Sequence, residues 1–185
     1  KAIGADINPI AYKLCKVSLT KWDLSLVDSL IDEFIEILSR ECSPIFIIVD
    51  EGEQRIIERC HFDYDGNKLI PVSYWYKTFK GDKLSGRKRG TISASFIDKY
   101  ESYAEMTYTT IKNHSLIPNS RIAIRDGAMA FDYFCLRNIF ALDKILFILE
   151  NFRERYGYEI LEIIVSSAMN LIKLYDKKAS NQMPY

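Results

Sequence analysis

The chain has 185 residues, 25 basic and 25 acidic side chains, a net charge of +0, and 48% hydrophobic and 13% aromatic residues. This composition is typical of one globular domain with a sizeable core and excludes a disordered chain. The zero net charge gives no support for bulk attraction to nucleic acid, which only a local basic cluster could supply. The sequence contains no run of about 18 uncharged apolar residues, so we expect no membrane segment, and the scattered cysteines indicate a cytoplasmic protein with reduced thiols.

The N-terminal part carries one clear element. Residues 24–41 place apolar side chains three and four positions apart, which predicts an amphipathic helix that begins at Thr20 or Asp23 and ends before Pro44. Residues 1–7 and 12–19 are predicted as short strands.

We expect residues 1–43 to be an N-terminal elaboration or the end of a preceding lobe, and residues 44–185 to be the main domain. The missing initiator Met and the abrupt C-terminal end indicate a chain cut from a longer protein. Scarce Gln with abundant Ile, Lys and Tyr resembles a thermophilic bias.

Three strands are predicted next. Residues 45–49 form a continuous apolar run that is typical of a strand buried on both faces. Residues 55–64 and 68–79 are two further strand-like runs, and Asp65-Gly66-Asn67 between them is a strong hairpin signal. The sequence therefore predicts three consecutive antiparallel strands.

The segment 80–90 combines glycines with basic residues and is predicted to be an exposed loop. Ser95 begins a helix whose apolar stripe extends to Ile111. A strand over 121–127, a helix over 138–156 ended by Gly157, a strand over 160–165 and a pairing segment over 170–175 complete the order. This order predicts an α/β fold with an RNase H-like mixed sheet, in which helix-strand-helix-strand follows the three antiparallel strands.

Two aspartates lie at the ends of predicted strands. Asp50 lies at the end of the first apolar strand and Asp126 lies at the end of the strand over 121–127, and neighbouring strand ends of this kind face a crevice. The two carboxylates are candidate catalytic residues and candidate ligands of Mg²⁺ or Mn²⁺, with the metal activating water against a phosphodiester. The alternative is that each Asp caps the turn after its strand. Glu51, Glu53 and Asp6 are further candidate acids.

A basic cluster stands beside aromatic residues in the middle of the chain. Cations interleaved with Tyr74, Trp75, Tyr76 and Phe79 are typical of surfaces that hold phosphates and stack bases. The alternative is a solubilising hairpin end whose rings pack on the core. The candidate nucleic-acid-binding residues of this cluster are Lys77, Lys80, Lys83, Arg87, Lys88 and Arg89.

From Phe96 onward the chain resembles the PIWI domain of prokaryotic Argonaute proteins. The resemblance covers residues 45–185 and depends on a long helix, Ile117-Pro118-Asn119-Ser120, a strand, and the Arg125-Asp126-Gly127 turn. It implies that Asp126 and Asp50 match catalytic metal-binding acids and that Arg125 joins the nucleic-acid-binding residues. The mobile Glu of cleaving members has no clear counterpart here.

Four functions follow from these observations. The first is a PIWI-like module that holds a guide and target duplex and cuts with a divalent metal, and the second is the same module without cleavage. The third is a NurA-type or other RNase H-like nuclease that works with a protein partner subunit. The fourth is an interaction domain with no role in nucleic-acid binding. Neither the Ser nucleophile motif of hydrolases nor a nucleotide-binding glycine loop is present in the sequence, which disfavours those classes.

Overall fold

The computed structural model describes residues 9–65, 68–81, 83–115, 118 and 126–172. It is a mixed α/β arrangement in which a five-stranded antiparallel sheet is flanked by helices. The strands are β1 (Ile47–Asp50), β2 (Glu53–Asp65), β3 (Lys68–Lys80), β4 (Lys83–Leu84) and β5 (Lys88–Thr91). The helices are α1 (Pro9–Leu19), α2 (Leu24–Cys42), α3 (Ala94–Ser102), α4 (Leu136–Glu150) and α5 (Tyr158–Ile172), and short 3-10 turns lie at Ser43–Phe46, Tyr103–Glu105 and Ala130–Tyr133.

The first three strands form the predicted antiparallel succession. β1 pairs with β2 up to the Asp50–Glu53 pair, and the two residues between them, Glu51 and Gly52, have φ values of 52° and 77°. Positive φ at both central positions is the geometry of a type I′ hairpin turn. β2 pairs with β3 from Arg55 to Asp65. The predicted hairpin of β2 and β3 is therefore confirmed.

The basic segment after β3 contains more regular structure than predicted. Its residues are largely exposed, as expected, but β4 and β5 both pair with β3. The free edge of β3 offers unpaired N–H and C=O groups, and pairing with this edge outweighs the loop character of the local sequence. Gly90 of β5 lies against the Tyr74 ring, and a Cβ at this position would stand 2.5 Å from Tyr74 Cζ. The prediction of an irregular loop over 80–90 was therefore wrong.

Helix α2 agrees with its predicted helix. The Asp23 side chain accepts hydrogen bonds from the backbone N–H groups of Ser25 and Leu26, at 3.1 and 3.4 Å, which satisfies two of the free donors at the helix start. The apolar stripe buries Val27, Leu30 and Phe34. Asp23, and not Thr20, is thus the N-cap.

The helices build a second core beside the one under the sheet. Leu30 and Phe34 of α2 pack with residues of α4 and α5, and the Phe34 and Phe152 rings meet edge to face at 5.4 Å between centroids. None of the described helices is long and apolar enough to span a lipid bilayer.

Two predicted strands are helices. Residues 12–19 lie in α1 and residues 160–165 lie in α5, so both strand predictions were wrong. The two helices pack together through ion pairs from Lys13 to Glu162 at 2.6 Å and from Lys16 to Glu159 at 2.5 Å. Leu161 and Val165, one helical turn apart, are both buried. A short apolar run fits either period, and here packing against neighbouring helices decided for the helix.

The other predicted boundaries are shifted. α3 ends at Ser102 instead of near Ile111, and α4 covers Leu136–Glu150 instead of 138–156. Residues 121–125 of the predicted strand lie outside the described residues, while Asp126 and Gly127 form a turn. In the predicted pairing segment 170–175, residues 170–172 belong to α5 and the rest lie outside the described residues. The predicted order thus holds for the antiparallel strands, and it fails at the last strand.

Candidate nucleic-acid interface and the Asp50 network

The sheet has one side that is covered by helix α3 and one side that is uncovered, and the side chains of β3 alternate between the two. Tyr74, Tyr76 and Thr78 are buried, and the Tyr74 ring stacks on Phe96 of α3 at 4.8 Å between centroids. The residues between them point the other way, because side chains alternate along a strand. On that other side Phe79 is 52% exposed. We call this side the open face; it carries Val49, Arg59, Trp75, Lys77, Phe79 and Arg89.

Trp75 occupies the centre of the open face. In the strand register Arg59 of β2 stands opposite Trp75 on one side, and Arg89 of β5 stands opposite it on the other. Side chains in such cross-strand pairs have their Cβ atoms about 5 Å apart. The indole Nε1 donates to His61 Nε2 at 2.9 Å, which fixes the ring orientation. The Trp75 ring is therefore held in place on a strand position that has an arginine opposite it on each side.

Glu58 joins two of the predicted basic residues. Its Oε1 lies 2.5 Å from Lys77 Nζ and its Oε2 lies 2.5 Å from Arg87 Nε. Hydrogen bonds from Lys77 and Arg87 hold the pKa of the Glu58 carboxyl below its usual value. The pairing of β2 with β3 is irregular at this point, since Ile57 pairs with Tyr76 and Arg59 pairs with Trp75, so Glu58 is an inserted bulge residue.

The remaining predicted cations are spread over different places. Lys80 and Lys83 lie opposite each other in the strand register, at the exposed end of the β3–β4 hairpin. Lys88 stands opposite Tyr76 on the covered side, with Nζ 5.9 Å from that ring. Arg125 lies outside the described residues. The structure therefore gathers Lys77, Arg87 and Arg89 near Trp75 and leaves Lys80, Lys83 and Lys88 apart.

Asp50, the first predicted catalytic residue, is buried at the end of β1. Its Oδ2 accepts hydrogen bonds from Arg55 Nη1 and from the Tyr74 hydroxyl, the latter at 2.9 Å. Its Oδ1 accepts from Ser95 Oγ at 3.2 Å. Arg55 Nη1 also donates to the Tyr74 hydroxyl at 2.8 Å, and Nη2 donates to Glu51 at 2.7 Å. Both oxygens of Asp50 are thus engaged by side chains of the protein itself.

This network keeps the Asp50 carboxyl charged. Burial alone raises the pKa of a carboxyl, because it removes water from the charged form. Hydrogen bonds from Tyr74 and Ser93, then the charge of Arg55 and a hydrogen bond from Ser95, together outweigh burial, and the pKa of Asp50 lies below its ordinary value of 3.8. Asp50 therefore acts as the counter-ion of a buried arginine.

Asp126, the second predicted catalytic residue, lies exposed in the turn before Gly127, whose φ is 72°. It is not among the hydrogen-bond partners of Asp50. Within the described part of the chain, no three His, Cys, Asp or Glu side chains lie close enough together to hold a metal ion. With Asp50 bound to Arg55, the described residues do not fit a two-aspartate Mg²⁺ or Mn²⁺ site.

Two residues of the candidate interface were not found from the sequence. Arg59 is a single basic residue in a strand, and Glu58 is one acid among several, so neither belongs to a basic run. The pairing of Arg59 with Trp75 could be predicted only if the bulge at Glu58 were known, because one inserted residue changes the register of the strand that follows it.

Comparison with known proteins gives no family model, no curated protein and no solved structure that matches this chain.

Proposed function

We propose that this chain is a nucleic-acid-binding domain whose open face holds unpaired nucleotides. The observation that carries the proposal is the position of Trp75 directly between Arg59 and Arg89 on a side of the sheet where Phe79 and Val49 remain exposed. Single-stranded nucleic acid is held by aromatic rings that stack on bases and by cations that track the phosphates. Both groups are present here at neighbouring positions.

The charge of the chain supports a local binding surface instead of a general one. The net charge is +0, so long-range attraction of nucleic acid is weak. Lys77, Arg87 and Arg89 lie on or beside the open face, and Arg59 adds a fourth cation. We therefore expect moderate affinity that falls with salt, because each phosphate contact releases a counterion.

An RNase H-like arrangement of the PIWI type is the finer form of this proposal. It is supported by the three antiparallel strands β1 to β3, by helix α3 after the sheet, and by the turn at Asp126 and Gly127. The helix over 160–165 speaks against it. In such a module the unpaired ligand would be a guide strand, with the target strand as its later partner.

We propose binding without cleavage. A metal-dependent nuclease needs carboxylate oxygens that face the metal, whereas both oxygens of Asp50 already accept hydrogen bonds from Arg55, Tyr74 and Ser95. Displacing them would break the buried ion pair of Asp50 with Arg55 and the hydrogen bond from the Tyr74 hydroxyl, which is costly. Recognition alone is the function that this geometry supports.

The test is fluorescence anisotropy with a labelled single strand of about 15 nucleotides and with the same sequence as a duplex. We expect the single strand to bind more tightly, and Trp75→Leu to weaken its binding by about tenfold or more, since stacking on one ring contributes about 1–3 kcal/mol per base. Phe147→Leu, at a residue of α4 that is 53% exposed, is the matched control and is expected to bind like the parent.

Two further measurements complete the test. In a Trp22→Phe background Trp75 is the sole indole, since the chain has 2 Trp, and the oligonucleotide should quench its fluorescence. With Mn²⁺ added, we expect the parent and Asp126→Ala to leave the strand equally intact. Equal binding by the parent and by Trp75→Leu would refute the open face as the site, and cutting that disappears in Asp126→Ala would establish a nuclease.

A further inference from the structure

We infer that Lys77 and Arg87 form a phosphate-binding site, and that the Glu58 carboxylate occupies this site in the free protein. This inference rests on the proposed function, because the phosphate is that of a nucleotide held on the open face. Glu58 would then be an internal competitor of the ligand, which sets how tightly and how salt-dependently the domain binds.

The backbone around Glu58 is the first observation. Ile57 and Arg59 pair with the consecutive residues Tyr76 and Trp75, so Glu58 is the one residue of β2 without a partner on β3 at this point. Bulges of this kind re-aim a side chain and are common beside functional sites. Here the extra residue directs a carboxylate towards two cations.

The geometry of the ion pairs is the second observation. Each oxygen of Glu58 receives a different donor, Lys77 Nζ on Oε1 and Arg87 Nε on Oε2, both at 2.5 Å. Lys77 comes from β3, and Arg87 comes from the segment just before β5, so the carboxylate lies between two elements. A phosphate offers the same arrangement of two oxygens with shared negative charge and binds Lys and Arg in the same way. The carboxylate is thus a chemical substitute for a phosphate.

The position relative to Trp75 is the third observation. Lys77 follows Trp75 by two residues on the same side of β3, a distance of about 7 Å along the strand. A base stacked on Trp75 therefore has its phosphate within reach of Lys77. The ion pairs are partly exposed, with 57% of the Arg87 side chain and 23% of the Glu58 side chain accessible. Exposed pairs of this kind contribute little to stability, so a phosphate can displace the carboxylate at low cost.

The experiment compares Glu58→Gln with the parent and with Glu33→Gln. Glu33 forms a forked ion pair with Arg155 at 2.8 and 3.2 Å on the helical side of the molecule, so its substitution makes the same change in net charge away from the open face. The probes are a labelled oligothymidylate of about 15 nucleotides and the same oligomer with uncharged methylphosphonate linkages. Binding is measured by anisotropy over a series of salt concentrations.

We expect Glu58→Gln to bind the charged oligomer about tenfold more tightly than the parent at low salt, because one repelling charge beside the phosphate is removed. The salt dependence should steepen by about 0.7 in log–log slope for each cation that gains a phosphate contact. Glu33→Gln should match the parent, and the uncharged oligomer should not distinguish Glu58→Gln from the parent.

Two contrary results have different meanings. If the parent binds and responds to Trp75→Leu, but Glu58→Gln binds equally or more weakly, then Glu58 only holds the two cations in place and the inference fails while the proposed function stands. If neither the parent nor Glu58→Gln binds any oligomer at low salt, the proposed function fails and the inference fails with it. Thermal unfolding of each variant confirms that the comparison is between folded proteins.

Discussion

Arg55 and Asp50 form an ion pair inside the molecule, where each side chain is only 8% exposed. The register of the β1–β2 hairpin brings them together, since Ile48 pairs with Arg55 and Asp50 lies two residues further along β1 on the same side of the sheet. The Tyr74 hydroxyl donates to the same Asp50 oxygen and accepts from Arg55. A residue that looks catalytic in the sequence is therefore part of the structural interior.

Removing one partner of this pair should strongly lower the stability of the fold. Arg55→Leu leaves the Asp50 carboxylate buried without a cation, and we expect the free energy of unfolding to fall by about 3–5 kcal/mol. Asp50→Leu should cost less than Arg55→Leu, because Arg55 Nη2 keeps its ion pair with Glu51 at 2.7 Å, and the double variant should lose clearly less than the sum of the two. Urea denaturation gives these values.

Arg155→Leu is the matched control for Arg55→Leu, because its pair with Glu33 is exposed, at 49% and 45% of the two side chains. Such a pair contributes about 0–1 kcal/mol. If Arg55→Leu were no more damaging than Arg155→Leu, the Asp50 network would not be a structural requirement.

Asp143 of α4 should make stability depend on pH. Its side chain is 4% exposed and accepts hydrogen bonds from the backbone N–H groups of Thr109, Thr110 and Ile111 at 2.6–2.9 Å. Burial raises the pKa of this carboxyl, but the backbone hydrogen bonds outweigh burial and the pKa lies below its ordinary value of 3.8. A lowered folded-state pKa gives stability that is present above the unfolded value and is lost as the pH falls through the folded value.

We therefore expect Asp143→Asn to lower the free energy of unfolding by about 1–3 kcal/mol at neutral pH. The carboxylate accepts hydrogen bonds through both of its oxygens, whereas the amide of Asn has only one accepting oxygen. The gap between parent and variant should narrow as the pH falls below the ordinary value of 3.8. Urea unfolding from about pH 7 to about pH 3 tests this. Asp28→Asn, on the exposed side of α2, is the control with little expected change. A gap that stays constant over this pH range would contradict the role of the charge.

Gly90 should tolerate no side chain. A Cβ here would lie 2.5–2.9 Å from three atoms of the Tyr74 ring, which is fully buried and hydrogen-bonded to Asp50 and Arg55. The ring cannot move without breaking that network, so we expect Gly90→Ala to cost at least about 1–3 kcal/mol, as overpacking does. Gly86→Ala meets no atom within 4 Å and should be nearly neutral. Equal melting temperatures of the two variants would show that the Tyr74 ring is free to shift.

Several elements followed from the sequence because their signals are local. The apolar stripe and the Asp23 cap predicted α2, and the β2–β3 hairpin followed from a turn signal between two strand-like runs. Tyr74, Trp75 and Lys77 were recognised as one group of rings and cations, and the alternation of a strand then separates them onto two sides. A signal that lies within a short stretch of sequence, such as an apolar spacing or a turn between two runs, is enough for such predictions.

Other features depended on contacts between distant residues. Residues 12–19 and 160–165 are helical because α1 and α5 pack on each other, and β5 exists because β3 had a free edge. The Asp50 carboxylate faces Arg55 and Tyr74 because of strand register, and the bulge at Glu58 set which side chains surround Trp75. The sequence by itself determined the amphipathic helix, the hairpin and the group of rings and cations. The tertiary structure alone decided which acid has a cation as its partner, because one residue of register or one bulge moves a side chain to the other side of a sheet.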